Sequence, residues 1–366
     1  MNNYLFVCEY RSPYSGNFIK SIEALVNRIE SQNGKCYFAF PNQARDRVWI
    51  SRFNKEDVHF FNFSNYKEFS REISKITAIQ DIDIIHAHFV TPNKLKTISC
   101  RTGKIKIFVH LHSDFSSGHK SIKSRIREYL TYHVLTSKMT FLCVSQEFVK
   151  RNPKNSIWIP NAVVCDMIER NPADKRAFRD KYDIDPEKQL VELYGWSPEV
   201  KGVDVAVEAI KKANTEQNKF TLMIVCGMQY NEIRMKQYVA EHTSCTGNED
   251  YLIFVPPIED VYTYHFASDI LLSASRSEGF PYSIIEMLSL GKKCVVSDIP
   301  GTAWSKHYDS VVSFANESHD DCARALIEAS KLVNYFPKVK NAVREEYSID
   351  KWVDEILESY TGREKG

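Results

Sequence analysis

ASDILLSASRSEGFPYSIIEMLSLGKKCVVSDIPG, residues 267–301, reads as a strand (DILLSAS), a Gly-Phe-Pro turn, a helix and a second strand (CVVSDI). Pro281 suits the first helical position, where its missing N–H would be unpaired anyway. Gly291 suits the helix end because glycine accepts the left-handed conformation. Within the helix Ser283, Glu286 and Ser289 fall three apart, surrounded by Ile284, Ile285, Met287, Leu288 and Leu290. A helix buried on most sides with one narrow polar stripe must give its carboxylate a polar partner or a wet cleft. The free amides and dipole at its start form an anion site. A diphosphate there, with a ribose diol at Glu286 and sugar hydroxyls at Glu278, satisfies both features. A solvated helix face produces the same spacing, so the pattern alone leaves both readings open.

Outward from this unit the same rhythm fills the chain. Strands are expected at 4–9, 36–40, 58–62, 83–88, 105–110, 140–144 and 156–159, then at 190–195, 221–227, 251–256, 269–275, 294–299 and 310–314. Their apolar residues run continuously instead of alternating, as in parallel strands covered on both faces. Strand–helix alternation of this kind predicts α/β, doubly wound sheets. At 366 residues the chain fits two domains. A Pro-Asn turn and a second Pro in IPNAVVCDMIERNP, 159–172, mark the boundary. The expected division is 1–163, 164–345 and a tail 346–366, whose Trp352, Ile356 and Tyr360 form a helical stripe that needs something to pack on. Ligands of two such sheets are expected in a cleft between the carboxyl ends of their strands.

Composition narrows the class. With 43% hydrophobic and 26% charged residues, disordered and fibrous chains are excluded. The start MNNYLFVCEY has no basic leader pattern, and no apolar run approaches the ~18 residues of a membrane span. Nine scattered cysteines without a C-x-x-C pair favour a reducing, cytoplasmic setting. Net charge is +1, but 91–138 holds ten Lys/Arg against Asp114 and Glu128. This zone, which includes the basic amphipathic stretch 119–135, is either a solvated face or a contact for an anionic membrane surface. No aromatic-rich or recognised module accompanies it, which argues against nucleic acid.

The stretch E-G-F-P-Y-S-I-I-E, 278–286, with its G-K-K-C-V-V-S-D-I-P-G continuation, resembles the E-x7-E motif of the retaining glycosyltransferases of family 4. The resemblance implies the GT-B architecture, two Rossmann-like domains facing a central cleft, with the acceptor bound by the first and the nucleotide sugar by the second. It implies that Glu278 contacts the donor sugar, that Glu286 binds the ribose, and that Gly279, Phe280, Tyr282 and Ser283 hold sugar hydroxyls and phosphate. Y-G-W-S-P-E-V-K-G, 194–202, is similar to the family's segment that supplies a basic residue to the diphosphate, here Lys201. Trp196 stands where the family usually has Arg, so neutralisation falls to Lys201 and amides, or to another cation such as Arg276. D-I-D-I-I-H-A-H-F-V, 81–90, resembles the family's D-x-x-H-x-H strand, and S-I-W-I-P-N-A-V-V, 156–164, its I-P-N-G segment. Gly16, after Ser15, stands for the paired glycines near the donor phosphate. His112, ahead of His110, is the histidine expected to reach the donor sugar. The tail resembles the helix that crosses back to the first domain.

The implied activity is retaining and metal-independent: a hexose passes from a nucleotide-sugar co-substrate to a saccharide or lipid-linked acceptor in cell-surface polysaccharide assembly. No Asp-x-Asp follows a strand in the donor half, and no His/Cys cluster has ligand spacing. The implied place is the cytoplasm, peripheral at the inner face of the membrane if 94–138 is a lipid contact. Two other readings stay open: a nucleotide-sugar epimerase of the same fold, and a non-catalytic nucleotide-sugar-binding subunit.

Overall fold

The structure, a computed structural model, describes residues 2–91, 94, 105–112, 139–152, 154–164 and 172–362. It divides into two compact units, Met1–Val164 with Ile349–Gly366, and Cys165–Ser348.

In the first unit, seven parallel strands run in the order β3-β2-β1-β4-β5-β6-β7: β1 Asn3–Cys8, β2 Lys35–Pro41, β3 Val58–Phe61, β4 Ile84–His88, β5 Lys106–Leu111, β6 Met139–Cys143 and β7 Ser156–Trp158. The chain starts in the middle, winds outward to β3, then returns to build the other half. The order therefore switches between β1 and β4, the kind of place where open α/β sheets bind ligands. Alternate residues feed opposite cores. Phe6, Phe38 and Phe108 face helix α1 (Gly16–Ser31) and the C-terminal helix Ile349–Thr361, whose Trp352, Val353, Ile356 and Tyr360 complete that layer. Leu5, Val7, Val109 and Phe141 face Phe69 and Ile73 of α2 (Tyr66–Ile79) on the other side. Arg28 ties α1 to the C-terminal helix through Asp354 at 2.7 Å.

The second unit repeats the plan with six parallel strands ordered β10-β9-β8-β11-β12-β13: β8 Gln189–Tyr194, β9 Phe220–Val225, β10 Leu252–Val255, β11 Ile270–Ser273, β12 Lys293–Ser297 and β13 Val311–Phe314. Its switch lies between β8 and β11. Helices α3 (Pro172–Lys181), α4 (Pro198–Lys201), α5 (Val203–Gln217), α6 (Glu232–His242), α7 (Tyr262–Ala267), α8 (Tyr282–Ser289), α9 (His319–Lys331) and α10 (Pro337–Glu346) cover it. Half-buried Asp269 ties α3 to the sheet, accepting from Lys175 and Arg179 at 2.6 Å each and from the Leu190 amide at 2.8 Å.

One expectation shifts by a residue. Pro281 is the cap before α8 and not its first helical residue, because its ψ of 124° is still extended. Gly291 behaves as read: at φ +70° its amide bonds Leu288 O at 2.8 Å while that of Lys292 bonds Met287 O at 3.2 Å, a Schellman ending.

Candidate functional site

At the switch point of the second unit, two glycines permit contacts no side chain would. Gly202 has φ +63°, and a Cβ there would lie 2.1 Å from Ala274 O. A Cβ on Gly301 would lie 2.2 Å from Glu278 O. The loop after β8 therefore presses on the end of β11, and the loop after β12 on the turn before α8. Lys201 Nζ and Glu278 Oε1, 77 residues apart in sequence, consequently meet at 2.5 Å. Ser275 Oγ donates to the same carboxylate oxygen at 2.7 Å. Trp196 covers the lysine, its ring centroid 5.0 Å from Nζ, a cation–π contact.

Arg276 has a different employment from the phosphate role expected of it. Its guanidinium clasps both carboxylate oxygens of Asp204, at 3.0 and 2.6 Å, and its Nε reaches Glu317 at 3.3 Å. It also donates to the Glu199 carbonyl. A fork held in this way fastens the turn to α5 and is not a spare cation for a diphosphate. Phe280 has its side chain in an aromatic stack, 4.2 Å from Trp304 and 5.2 Å from Tyr347. It anchors the turn, so what it can offer a ligand is backbone. Gly279 is buried beside it, while Tyr282 and Ser283 in the first turn of α8 are half-buried.

Glu286 sits one turn further along α8 and has the polar partner its burial demands. His265 Nε2 lies 3.0 Å from Glu286 Oε2, and His265 Nδ1 lies 3.0 Å from Glu192 Oε2. The imidazole and Glu192 are 0% exposed, Glu286 5%. Burial alone would lower the histidine's pKa; the two carboxylates outweigh it and raise it to about 10. Lys292 holds the imidazole's helix in place, donating to the carbonyls of His265, Phe266 and Ser268 at 2.6, 2.9 and 2.7 Å. Glu192 and His265 escaped the reading of the sequence, although a signal existed: a glutamate in the middle of a strand buried on both faces requires a cationic or hydrogen-bonding neighbour.

The first unit has its own polar cluster at the switch strands. His86 and His88 lie on the same face of β4, and register pairs His88 with His110 on β5. His112 Nε2 is 3.0 Å from His88 Nδ1, and His86 Nδ1 is 2.7 Å from the Tyr360 hydroxyl. Burial first, then mutual repulsion, holds His86, His88 and His112 well below their usual pKa, and burial takes His110 down to about 3. These are neutral imidazoles. Phe89, next to His88, has φ +59° and stacks on His112 at 4.2 Å, a strained backbone at the strand end. Of the two candidate histidines, His112 is at the strand end and partly exposed, whereas His110 is inside.

Nitrogens of His86, His88 and His110 lie within 4.8 Å of one another, close enough to ask whether they hold a metal. The rings answer against it. His110 stacks on His86 with 15° between planes and on His88 with 24°. His86 and His88 are tilted by 38°, so the three rings pack mainly as a stack and converge poorly on a common centre.

Gly16 opens α1 with φ +54°, a left-handed conformation that explains glycine there; a Cβ would meet only Tyr10 Oη, at 3.7 Å. In the basic zone, Lys94 is buried against Glu9 at 2.6 Å, whereas exposed Lys106 donates to Tyr360 O at 3.1 Å. The other eight basic residues of 91–138 lie outside the described residues. No described helix is long and apolar enough to cross a membrane.

Residues 174–345 match the family model of the glycosyl transferases, group 1. The match to that group covers nearly all of the second unit, including Lys201, Glu278 and Glu286. The chain is 22% identical over 308 residues to a trehalose synthase of Pyrococcus horikoshii, covering 80% of this chain and 72% of that protein. It is 21% identical over 145 residues to the lipopolysaccharide core biosynthesis mannosyltransferase LpsB of Rhizobium meliloti, covering 38% of this chain and 41% of LpsB. Among solved structures it is similar to Anabaena Alr3699/HepE in complex with UDP-glucose, with TM-score 0.79 and 14% identity over 99% of this chain and 100% of that one. The fold is therefore GT-B, two parallel-sheet α/β units.

Proposed function

We propose that the chain is a glycosyltransferase that moves a hexose from a nucleotide-sugar donor to a saccharide or lipid-linked acceptor, with retention and without a metal. The observation that carries this is the Lys201–Glu278 pair, 2.5 Å apart at the switch point of the unit that matches glycosyl transferases group 1. A diphosphate arriving at the first turn of α8 competes with Glu278 for Lys201 Nζ. The freed carboxylate then accepts from sugar hydroxyls, while the ammonium and the turn amides of Gly279, Phe280, Tyr282 and Ser283 stabilise the leaving diphosphate. Preorganised donors of this kind replace a cation in the transition state. Glu286 takes the ribose. His112 approaches the sugar, and Gly16 lets the backbone near the phosphate. The leaving phosphate helps to deprotonate the incoming hydroxyl.

HepE was solved with UDP-glucose and LpsB is named for lipopolysaccharide core, which supports a UDP-hexose donor and a cell-surface acceptor. An inner-membrane acceptor also accounts for the basic zone 94–138, at the cytoplasmic face; failure to sediment with anionic vesicles at low salt removes that part alone.

The test is incubation with UDP-, GDP- and ADP-hexoses, with and without acceptors and with EDTA throughout. Acceptor-dependent release of nucleotide with an unchanged anomeric configuration is expected. Acceptor-free isomerisation would make the protein an epimerase, and binding without turnover a non-catalytic subunit.

A further inference from the structure

We infer that His265 is a positioning residue for the ligand-binding carboxylate Glu286, held between it and Glu192 as a buried imidazolium. The inference rests on the donor-site reading above and adds to it the residues that make Glu286 an acceptor of fixed orientation.

Ionised carboxylates only accept hydrogen bonds, and an imidazole donates from both nitrogens only when doubly protonated. Both His265 nitrogens face carboxylate oxygens at 3.0 Å, so the arrangement is satisfied by one cation between two anions. The raised pKa of His265 has the same cause. Each member stands on a different element: Glu192 on β8, between Met223 of β9 and Leu271 of β11; His265 on α7; and Glu286 on α8. Lys292 fixes α7 by its three carbonyl contacts, so the ring cannot drift without breaking them. Glu286 Oε2 is thereby pinned.

The charge count adds polarity to the site. Two carboxylates and one imidazolium leave the triad with a net negative charge, while Lys201 stands paired with Glu278 before the first turn of α8. The negative end selects hydroxyl donors, the vicinal diol of a ribose, and repels phosphate. A nucleoside diphosphate can therefore lie in only one direction. Without the imidazolium, two carboxylates would lie in one buried region with no donor between them, and nothing would fix the oxygen that the diol needs.

The experiment is calorimetric titration of wild type, His265→Gln, Glu192→Gln and the double variant with UDP, GDP and ADP and with their 2′-deoxy and 3′-deoxy counterparts. For whichever base binds, wild type is expected to prefer the ribose form roughly tenfold or more, the loss of a hydrogen bond to a charged group. His265→Gln should lose that preference. The double variant should recover part of it, since the amide introduced at position 192 can donate to the side-chain carbonyl introduced at position 265, whose NH2 can then donate to Glu286. In turnover assays the donor KM should rise, with kcat at saturating donor and the acceptor KM unchanged. If His265→Gln does not fold, Glu192→Gln, which keeps the ring but removes its second anion, must still narrow the preference. An undiminished preference in a folded variant overturns the inference and leaves the donor site standing. Absence of any nucleoside diphosphate binding by wild type, or indifference to both ribose hydroxyls, overturns the donor reading of Glu286 and the inference with it.

Discussion

Each unit buries histidine at the switch point of its sheet, and the two clusters differ in charge. In the first, four imidazoles stack among aromatic rings with no carboxylate bonded to them among the described residues, and burial keeps them neutral. In the second, one imidazole lies between two carboxylates and carries a charge. His86, His88, His110 and His265 are all buried, so burial does not decide protonation; the neighbours do. The charged triad, with Lys201 and Glu278 beside it, suits a ligand that is itself charged at one end.

The largest expected effect comes from removing the cation. His265→Leu leaves Glu192 and Glu286 buried without their counter-ion and should cost about 3–5 kcal/mol in denaturant unfolding. A loss below about 1 kcal/mol would mean the ring was never charged. Next comes chemistry: Lys201→Met and Glu278→Gln should each lower kcat about 100- to 1,000-fold, the usual consequence of deleting a preorganised charged group. A spectator pair would leave kcat unchanged.

The pH dependence sharpens the contrast further. His110 has a folded pKa of about 3 against about 6.5 unfolded, so its contribution is present above pH 6.5 and lost as pH falls. Between pH 7 and pH 5 that amounts to about 2 kcal/mol from this residue. His265 has the opposite sign: at about 10 folded, its contribution is present below pH 6.5 and lost as pH rises toward 10. Acid should therefore weaken the first unit and alkali the second. Urea midpoints against pH, read from a Trp probe in each unit, check this; parallel loss in both units would break the comparison. The smallest effect is expected from His110→Leu. Its nitrogens have no hydrogen-bond partner among the described residues, so at pH 7 an apolar replacement should change stability by no more than about 1 kcal/mol, and it should remove this residue's share of the acid sensitivity.

The fold was legible because strands covered on both faces carry continuous apolar runs, as LMIV within Phe220–Val225 and CVV within Lys293–Ser297 do. Lys201 and Glu278 were legible as members of motifs. Their meeting was not, because it depends on Gly202 and Gly301 allowing backbone contacts that no local pattern records. The partner of Arg276 was hidden for the same reason: charge is visible in a sequence, but its contact with Asp204 is not. Neither Glu192 nor His265 was singled out in the sequence. Read together they would have pointed to a pair, since a central strand rarely holds an unpartnered carboxylate.

A crystal of the protein with bound UDP tests the donor site most directly. The account predicts phosphate oxygens between Lys201 Nζ and the first turn of α8, and ribose hydroxyls on Glu286 with His265 still bridging it to Glu192. Nucleotide bound elsewhere, with the Lys201–Glu278 pair intact and Glu286 untouched, would contradict it.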